Sequence, residues 1–137
     1  MYRFGRGRWS IALLDDWVGE FEGGTACISR PGGNGVLLIS SADKDEGPVE
    51  PGDLRALARG ECPQHADVGD CELGAFRGIH AMYADDGQGA RWHRWYLGYG
   101  SAVLLVTYMV PLELEGAEDE AVMAMLRSLR GRGDAWK

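Results

Sequence analysis

The stretch ECPQHADVGDCELGAFRGIH, Glu61 to His80, gathers Cys62, His65, Cys71 and His80 in a chain that has three cysteines and three histidines in all. These are zinc-ligating residue types. Zinc takes four nitrogen or sulfur ligands in a tetrahedron, commonly supplied as two close pairs. Cys62 and His65, with two residues between them, make an acceptable first pair, whereas Cys71 and His80, with eight between them, make a poor second one. His80 also falls in a strand-like run, where its backbone pairing would have to coincide with delivery to a loop site. A metal-binding protein or enzyme built on this cluster is therefore the alternative reading, and no metal or other cofactor is expected. A Cys62 to Cys71 disulfide is geometrically conceivable but disfavoured in a reducing compartment. A Cys71–His80 dyad would need adjacent strands to bring the two within hydrogen-bond reach and a third group to orient the base. No G-x-S-x-G nucleophile motif is present.

The other candidate motifs weaken on inspection. PGGNG resembles a phosphate-cradling loop, but such loops follow a strand and open onto a helix, and here the β-forming run Val36 to Ser41 follows, which predicts a hairpin turn. Asp43 and Asp45 begin like a calcium loop, yet its twelfth position is Leu54 instead of glutamate. The carboxylates of DKDEGPVE and ELEGAEDE lie in stretches that read as solvated, where acids make weak catalysts. Arg3, Arg6 and Arg8 near one end and Arg127, Arg130 and Arg132 near the other would form a basic patch if the termini meet; flexible, solvated ends are the simpler expectation. Aromatics interleaved with arginine remain. Trp92, Arg94 and Tyr96 alternate on one strand-like run and so point the same way, and these residue types anchor protein interfaces.

The elements that must position them read as follows. Runs from Trp9 to Leu14 and from Trp17 to Glu22, separated by Asp15 and Asp16, suggest a hairpin; TACISR and GVLLISS add two strands. A short helix is predicted from about Asp53 to Arg59, with Gly60 as its stop. AFRGIHAMYA, ARWHRWYLG and SAVLLVTYMV form a meander, joined by DDGQG and by the turn at Tyr99 and Gly100. A last helix is predicted from Ala117 to Gly131, with Val122, Met125, Leu126 and Leu129 on one stripe. If Ala84 faces Ala90 and Leu97 faces Ala102, then Ile79, Ala81, Tyr83, His93, Trp95, Leu97, Leu104, Val106 and Tyr108 share one face. The other face then carries His80, Met82, Trp92, Arg94, Tyr96, Val103, Leu105 and Thr107. Both faces are largely apolar and require cover. The expected fold is α+β: an antiparallel sheet of about six to seven strands sandwiched between helices, formed by residues 1–137 as one domain with 1–8 and 131–137 as flexible ends.

Composition bounds the function. Hydrophobic residues make up 45% and charged residues 26%, a globular balance. A formal charge of −7 argues against nucleic acid as a partner. The N-terminal stretch does not read as a secretory signal, and no run approaches the ~20 apolar residues of a membrane span, so the expectation is a cytoplasmic protein without membrane contact.

The succession WSIALLDDWVGEFEGG, GVLLISS, DLRALA, GIHAMYADDGQGARWHRWYLGYGSAVLLVTY and MLRSL resembles small bacterial proteins of the PsbP-like superfamily, whose fold is shared with the yeast nuclear-import factor that binds the GTPase Ran. The resemblance implies an antiparallel sheet between helices and members that bind other proteins, some as chaperones for type VI secretion effectors. No motif matches the Ran-binding surface, so no residue role is carried over. The expected function is a non-enzymatic protein-binding domain acting as adaptor, secretion-effector chaperone or immunity-type factor. Trp92, Arg94 and Tyr96 are its expected contact residues for another protein, and a homodimer is left open.

Overall fold

The computed structural model describes residues 1–131; Arg132 and the rest of the expected flexible end lie outside the described residues. In chain order the elements are β1 (Tyr2–Arg6), β2 (Trp9–Leu13), β3 (Val18–Glu22), β4 (Thr25–Ser29), β5 (Val36–Asp43), α1 (Pro51–Glu61), β6 (Asp67–Leu73), β7 (Phe76–Asp85), β8 (Ala90–Tyr99), β9 (Ala102–Pro111), a 3-10 turn (Leu112–Leu114), α2 (Asp119–Leu126) and β10 (Arg130–Gly131). Seven strands form one antiparallel sheet in the order β3-β4-β5-β9-β8-β7-β6, and three form a second, β1-β2-β10. The architecture is α+β, as expected, with the helices more sparingly placed.

One face of the large sheet carries the main core. Ala26, Ile28, Leu37, Ile39, Trp95, Leu97, Leu104, Val106 and Tyr108 pack there against Trp9, Ile11 and Leu13 of β2 and against Val122, Met125, Leu126 and Leu129. The small sheet therefore serves as a lid beside α2, which explains why the expected hairpin between Trp9 and Glu22 does not form. β2 pairs with β1 and β10, whereas β3 pairs with β4. At the corner between them Trp17 is driven into the core, 2% exposed. Residues 1–8, expected to be flexible, contain β1. The C-terminal helix is shorter than expected: it ends at Leu126, its stripe is completed by the buried Leu129 beyond the helix, and the chain turns into β10. The turn after β6 is locked against this segment. Gly74 has φ 61°, and a Cβ there would lie 2.1 Å from the Leu129 carbonyl oxygen.

The opposite face is covered only in part. α1 lies over β7 and β8, burying Leu54 and Ala58 against Ile79 and Tyr96. It runs past the expected stop at Gly60 to Glu61, begins with Pro51 in its first turn, and its entry is fixed by the Glu50 amide donating to Asp53 Oδ2 at 2.8 Å. Val103 and Leu105 of β9 also pack against this cluster, but over β3, β4, β5 and the far end of β9 no helix among the described residues covers this face, and Val18, Val36 and Met109 stand 44%, 40% and 38% exposed.

The register of the meander corrects the expected faces. Asp85 is the last residue of β7 and pairs with Ala90, so the loop is one residue shorter than expected; Asp85 closes it by accepting the Gln88 amide on its side chain at 3.2 Å. That single residue swaps every β7 side chain relative to β8. Tyr83 stands opposite Trp92, Ala81 opposite Arg94 and Ile79 opposite Tyr96, whereas His80 and Met82 join His93 and Trp95 on the core face. Between β8 and β9 the shift is two residues, Leu97 meeting Leu104, and the expected faces survive.

Candidate functional site

Trp92, Arg94 and Tyr96 do point the same way, onto the face that α1 half covers. Arg94 Nε donates to the Tyr83 hydroxyl at 2.9 Å, its Nη1 lies 3.8 Å from Glu61 Oε1, and its guanidinium carbon sits 5.1 Å from the Trp92 ring centre. Burial works against the Arg94 charge, but the Tyr83 hydrogen bond and the nearby Tyr83, Tyr96 and Cys62 outweigh it and hold its pKa above the ordinary value. Tyr96 donates its hydroxyl proton to Glu61 Oε1 at 3.0 Å. With that proton committed, the Cys62 thiol, 3.4 Å away, donates to the Tyr96 oxygen. Burial, then these two partners, raises the Tyr96 pKa. Tyr83 and Trp92 stack with ring centres 6.3 Å apart, and Trp92 Nε1 donates to Gln88 Oε1 at 3.3 Å. A cleft of about 570 Å³, lined by Glu61, Cys62, His65, Tyr83, Asp85 and Asp86 among others, opens beside this network.

The four residues weighed as metal ligands are divided by the sheet. Cys62 and His65 follow the end of α1 on the half-covered face, His65 being bonded to the Ala84 carbonyl at 3.2 Å. Cys71 and His80 lie on the core face of β6 and β7. Cys71 packs against the main core, and burial pushes its pKa up to about 11, which suppresses the thiolate that a ligand or nucleophile requires. His80 is committed to another imidazole: its Nε2 lies 3.0 Å from His93 Nδ1, and both rings stack on Trp95. Burial, then the neighbouring His93, pushes the His80 pKa down to about 4. The cluster, disulfide and dyad weighed as alternatives are thus not assembled; Cys27, Cys62 and Cys71 are free, and among the described residues no group of three or more His, Cys, Asp and Glu could hold a metal ion.

The glycine-rich loop does bind an anion, but the anion is internal. Gly35 and Asn34 amides donate to the Glu118 carboxylate at 2.8 and 3.2 Å, and Tyr108 donates to it at 2.7 Å. The first and last described strands, β1 and β10, do flank β2, yet the N-terminal arginines act as tethers. Arg3 donates to Ser10 Oγ and the Ser128 carbonyl, Arg6 to the Gly23 carbonyl while lying over Phe21, and Arg8 pairs with Asp43.

Sequence reasoning missed the surface that continues from Trp92. Met109 stands directly opposite Trp92, and Val36 directly opposite Met109. Tyr83, Trp92, Met109 and Val36 therefore form one row across β7, β8, β9 and β5, about 14 Å long at the spacing of neighbouring strands. The β5–β9 pairing joins residues far apart in sequence and carries no local turn signal.

No protein-family profile matches the chain, and no curated protein matches it. Its fold is similar to that of a crystal structure from Bacteroides thetaiotaomicron VPI-5482, determined at 1.50 Å resolution, with a TM-score of 0.67 at 19% identity. The similarity covers 94% of this chain and 47% of that one, so the chain spans about half the length of that protein. At this identity the likeness concerns the fold alone.

Proposed function

We propose that this chain is a non-enzymatic, cytoplasmic bacterial domain of the PsbP-like kind that binds another protein, as an adaptor, secretion-effector chaperone or immunity-type factor. The observation that carries the reading is the row Val36, Met109, Trp92, with Arg94 beside it. Two of these apolar side chains are 40% and 38% exposed, the row runs into a half-buried tryptophan, and an arginine lies against that ring. Apolar surface flanked by tryptophan and arginine is the composition of interface anchors, and contiguous exposed apolar surface marks binding sites. The Arg94 head, paired with Glu61 only at 3.8 Å, retains capacity for an acidic group of the partner. No helix among the described residues is long and apolar enough to cross a membrane.

The test is capture of the native partner by immobilised wild-type protein and by Met109→Glu and Arg94→Ala variants shown to be folded. Met109→Glu places a charge in the middle of the row and should abolish capture; Arg94→Ala should weaken it by about 2 kcal/mol. Equal recovery by all three proteins would remove this face from consideration.

A further inference from the structure

Strand β6 is the end of the large sheet, and among the described residues no strand pairs with its outer edge. Asp67, Val68, Gly69, Asp70 and Glu72 are all exposed, Val68 at 57%. A sheet edge presents a row of unpaired backbone groups, a template on which another strand can form. Between β6 and α1 runs a trench. At one end Arg55, Ala58, Arg59 and Cys62 face Ala66 and Val68 across about 510 Å³; at the other, Leu54 and Arg55 face Asp70 and Glu72 across about 700 Å³. Arg55 lines both. The two walls carry opposite charges that do not neutralise each other. Neither Arg55 nor Arg59 takes part in an ion pair among the described residues, nor do Asp67 and Asp70, and Glu72 meets only Arg77, at 4.0 Å between two largely exposed side chains.

We propose that β6 is the interface between two copies of this chain, paired antiparallel about a two-fold axis so that the two large sheets become one. A two-fold contact uses the same patch twice, so the patch must complement itself. This one does, in charge. With the axis at Val68, that exposed side chain meets its copy, Asp67 falls opposite Gly69 and Asp70 opposite Ala66, and no carboxylate faces a carboxylate. Neighbouring strands lie about 4.8 Å apart. The second copy's β6 therefore passes beside the α1 arginines, and Arg59, which shares its cleft with Ala66 and Val68, comes over the second copy's Asp70. The charges left unmatched within one copy are matched between two.

Sedimentation equilibrium of the intact chain across the micromolar range tests this, read against far-UV circular dichroism of each variant. The wild type should approach twice its monomer mass as concentration rises, with weaker association at high salt. Val68→Asp should be monomeric. Arg59→Glu, on an exposed helix position that leaves folding intact even if Val68→Asp misfolds, should weaken dimerisation about tenfold, and adding Asp70→Arg should restore it. A wild type that stays monomeric throughout, as it would if the edge served a foreign strand, overturns the proposal, as does a dimer indifferent to Arg59→Glu.

Discussion

Removing the Glu118 carboxylate should be among the most damaging single changes in this protein. The side chain is 1% exposed and accepts hydrogen bonds from Tyr108 Oη at 2.7 Å, Gly35 N at 2.8 Å and Asn34 N at 3.2 Å, with an Arg30 nitrogen at 3.3 Å. A hydrogen bond to a charged group contributes about 1.5–3 kcal/mol, and a buried donor left unpaired costs about 1–3 kcal/mol. These contributions are not additive, because Arg30, 38% exposed, can turn to water once the carboxylate is gone. Glu118→Ala should therefore destabilise by about 3–5 kcal/mol. Glu118→Gln keeps one acceptor oxygen but turns an NH2 toward a donor, and should cost about 2 kcal/mol. Urea denaturation at pH 7, with unchanged slope, measures both. The charge makes a further mark on pH dependence. Burial raises the Glu118 pKa, but Tyr108, the Asn34 and Gly35 amides and Arg30 together lower it below the ordinary 4.5. A depressed carboxylate adds stability above its unfolded pKa and loses it as pH falls through the folded one. Wild type should lose stability below pH 4.5 more steeply than Glu118→Gln. A Glu118→Ala midpoint within about 1 kcal/mol of wild type, or an acid limb that persists unaltered in Glu118→Gln, would show that the loop is held by something else.

Two further outcomes are expected. Leu126, fully buried between α2 and the sheet, should cost about 2–5 kcal/mol on substitution by alanine, read as a lowered urea midpoint; an unresolvable change would make α2 peripheral. The histidine pair should also make the fold acid-sensitive in a higher window. The His80 pKa is lowered from 6.5 to about 4, so the unfolded chain binds more protons between those values and stability should decline as pH falls from 6.5 toward 4. The His80→Gln variant should show a flatter limb there, measured as melting temperature against pH, and equal limbs would refute the assignment.

The meander was legible because strand length, alternation and turn residues are local signals, and so were α1 and the apolar stripe that α2 begins. What escaped depends on distant partners or on single residues. β6 contains only Val68, Cys71 and Leu73 as apolar residues among acids and a glycine; as an edge strand it needs no apolar alternation, so nothing in its sequence announced it. One loop residue, Asp85, decided which face Tyr83 and His80 occupy. The chemistry of Glu118 lay in a stretch that read as solvated, and only the approach of a loop 83 residues earlier in the chain turns it into a buried anchor. Trp92, Arg94 and Tyr96 share a face as expected because alternation within one strand is independent of register, but α1 buries Tyr96, 2% exposed, and leaves only Trp92 and Arg94 partly open.

The strand order also dictates when the chain can become a protein. β5 waits for β9, some sixty residues later, and β2 finds its second neighbour only in Arg130 and Gly131. Pairings of such long sequence separation demand that large loops close before any contact repays them, and this slows folding. Until Arg130 and Gly131 have been synthesised, β2 therefore lacks its second neighbour, and Trp9, Ile11 and Leu13 lack the cover that the completed small sheet and α2 give them. Apolar surface and an unpaired strand edge left open over that interval favour aggregation, and a truncation that removes β10 would leave β2 permanently without its second neighbour.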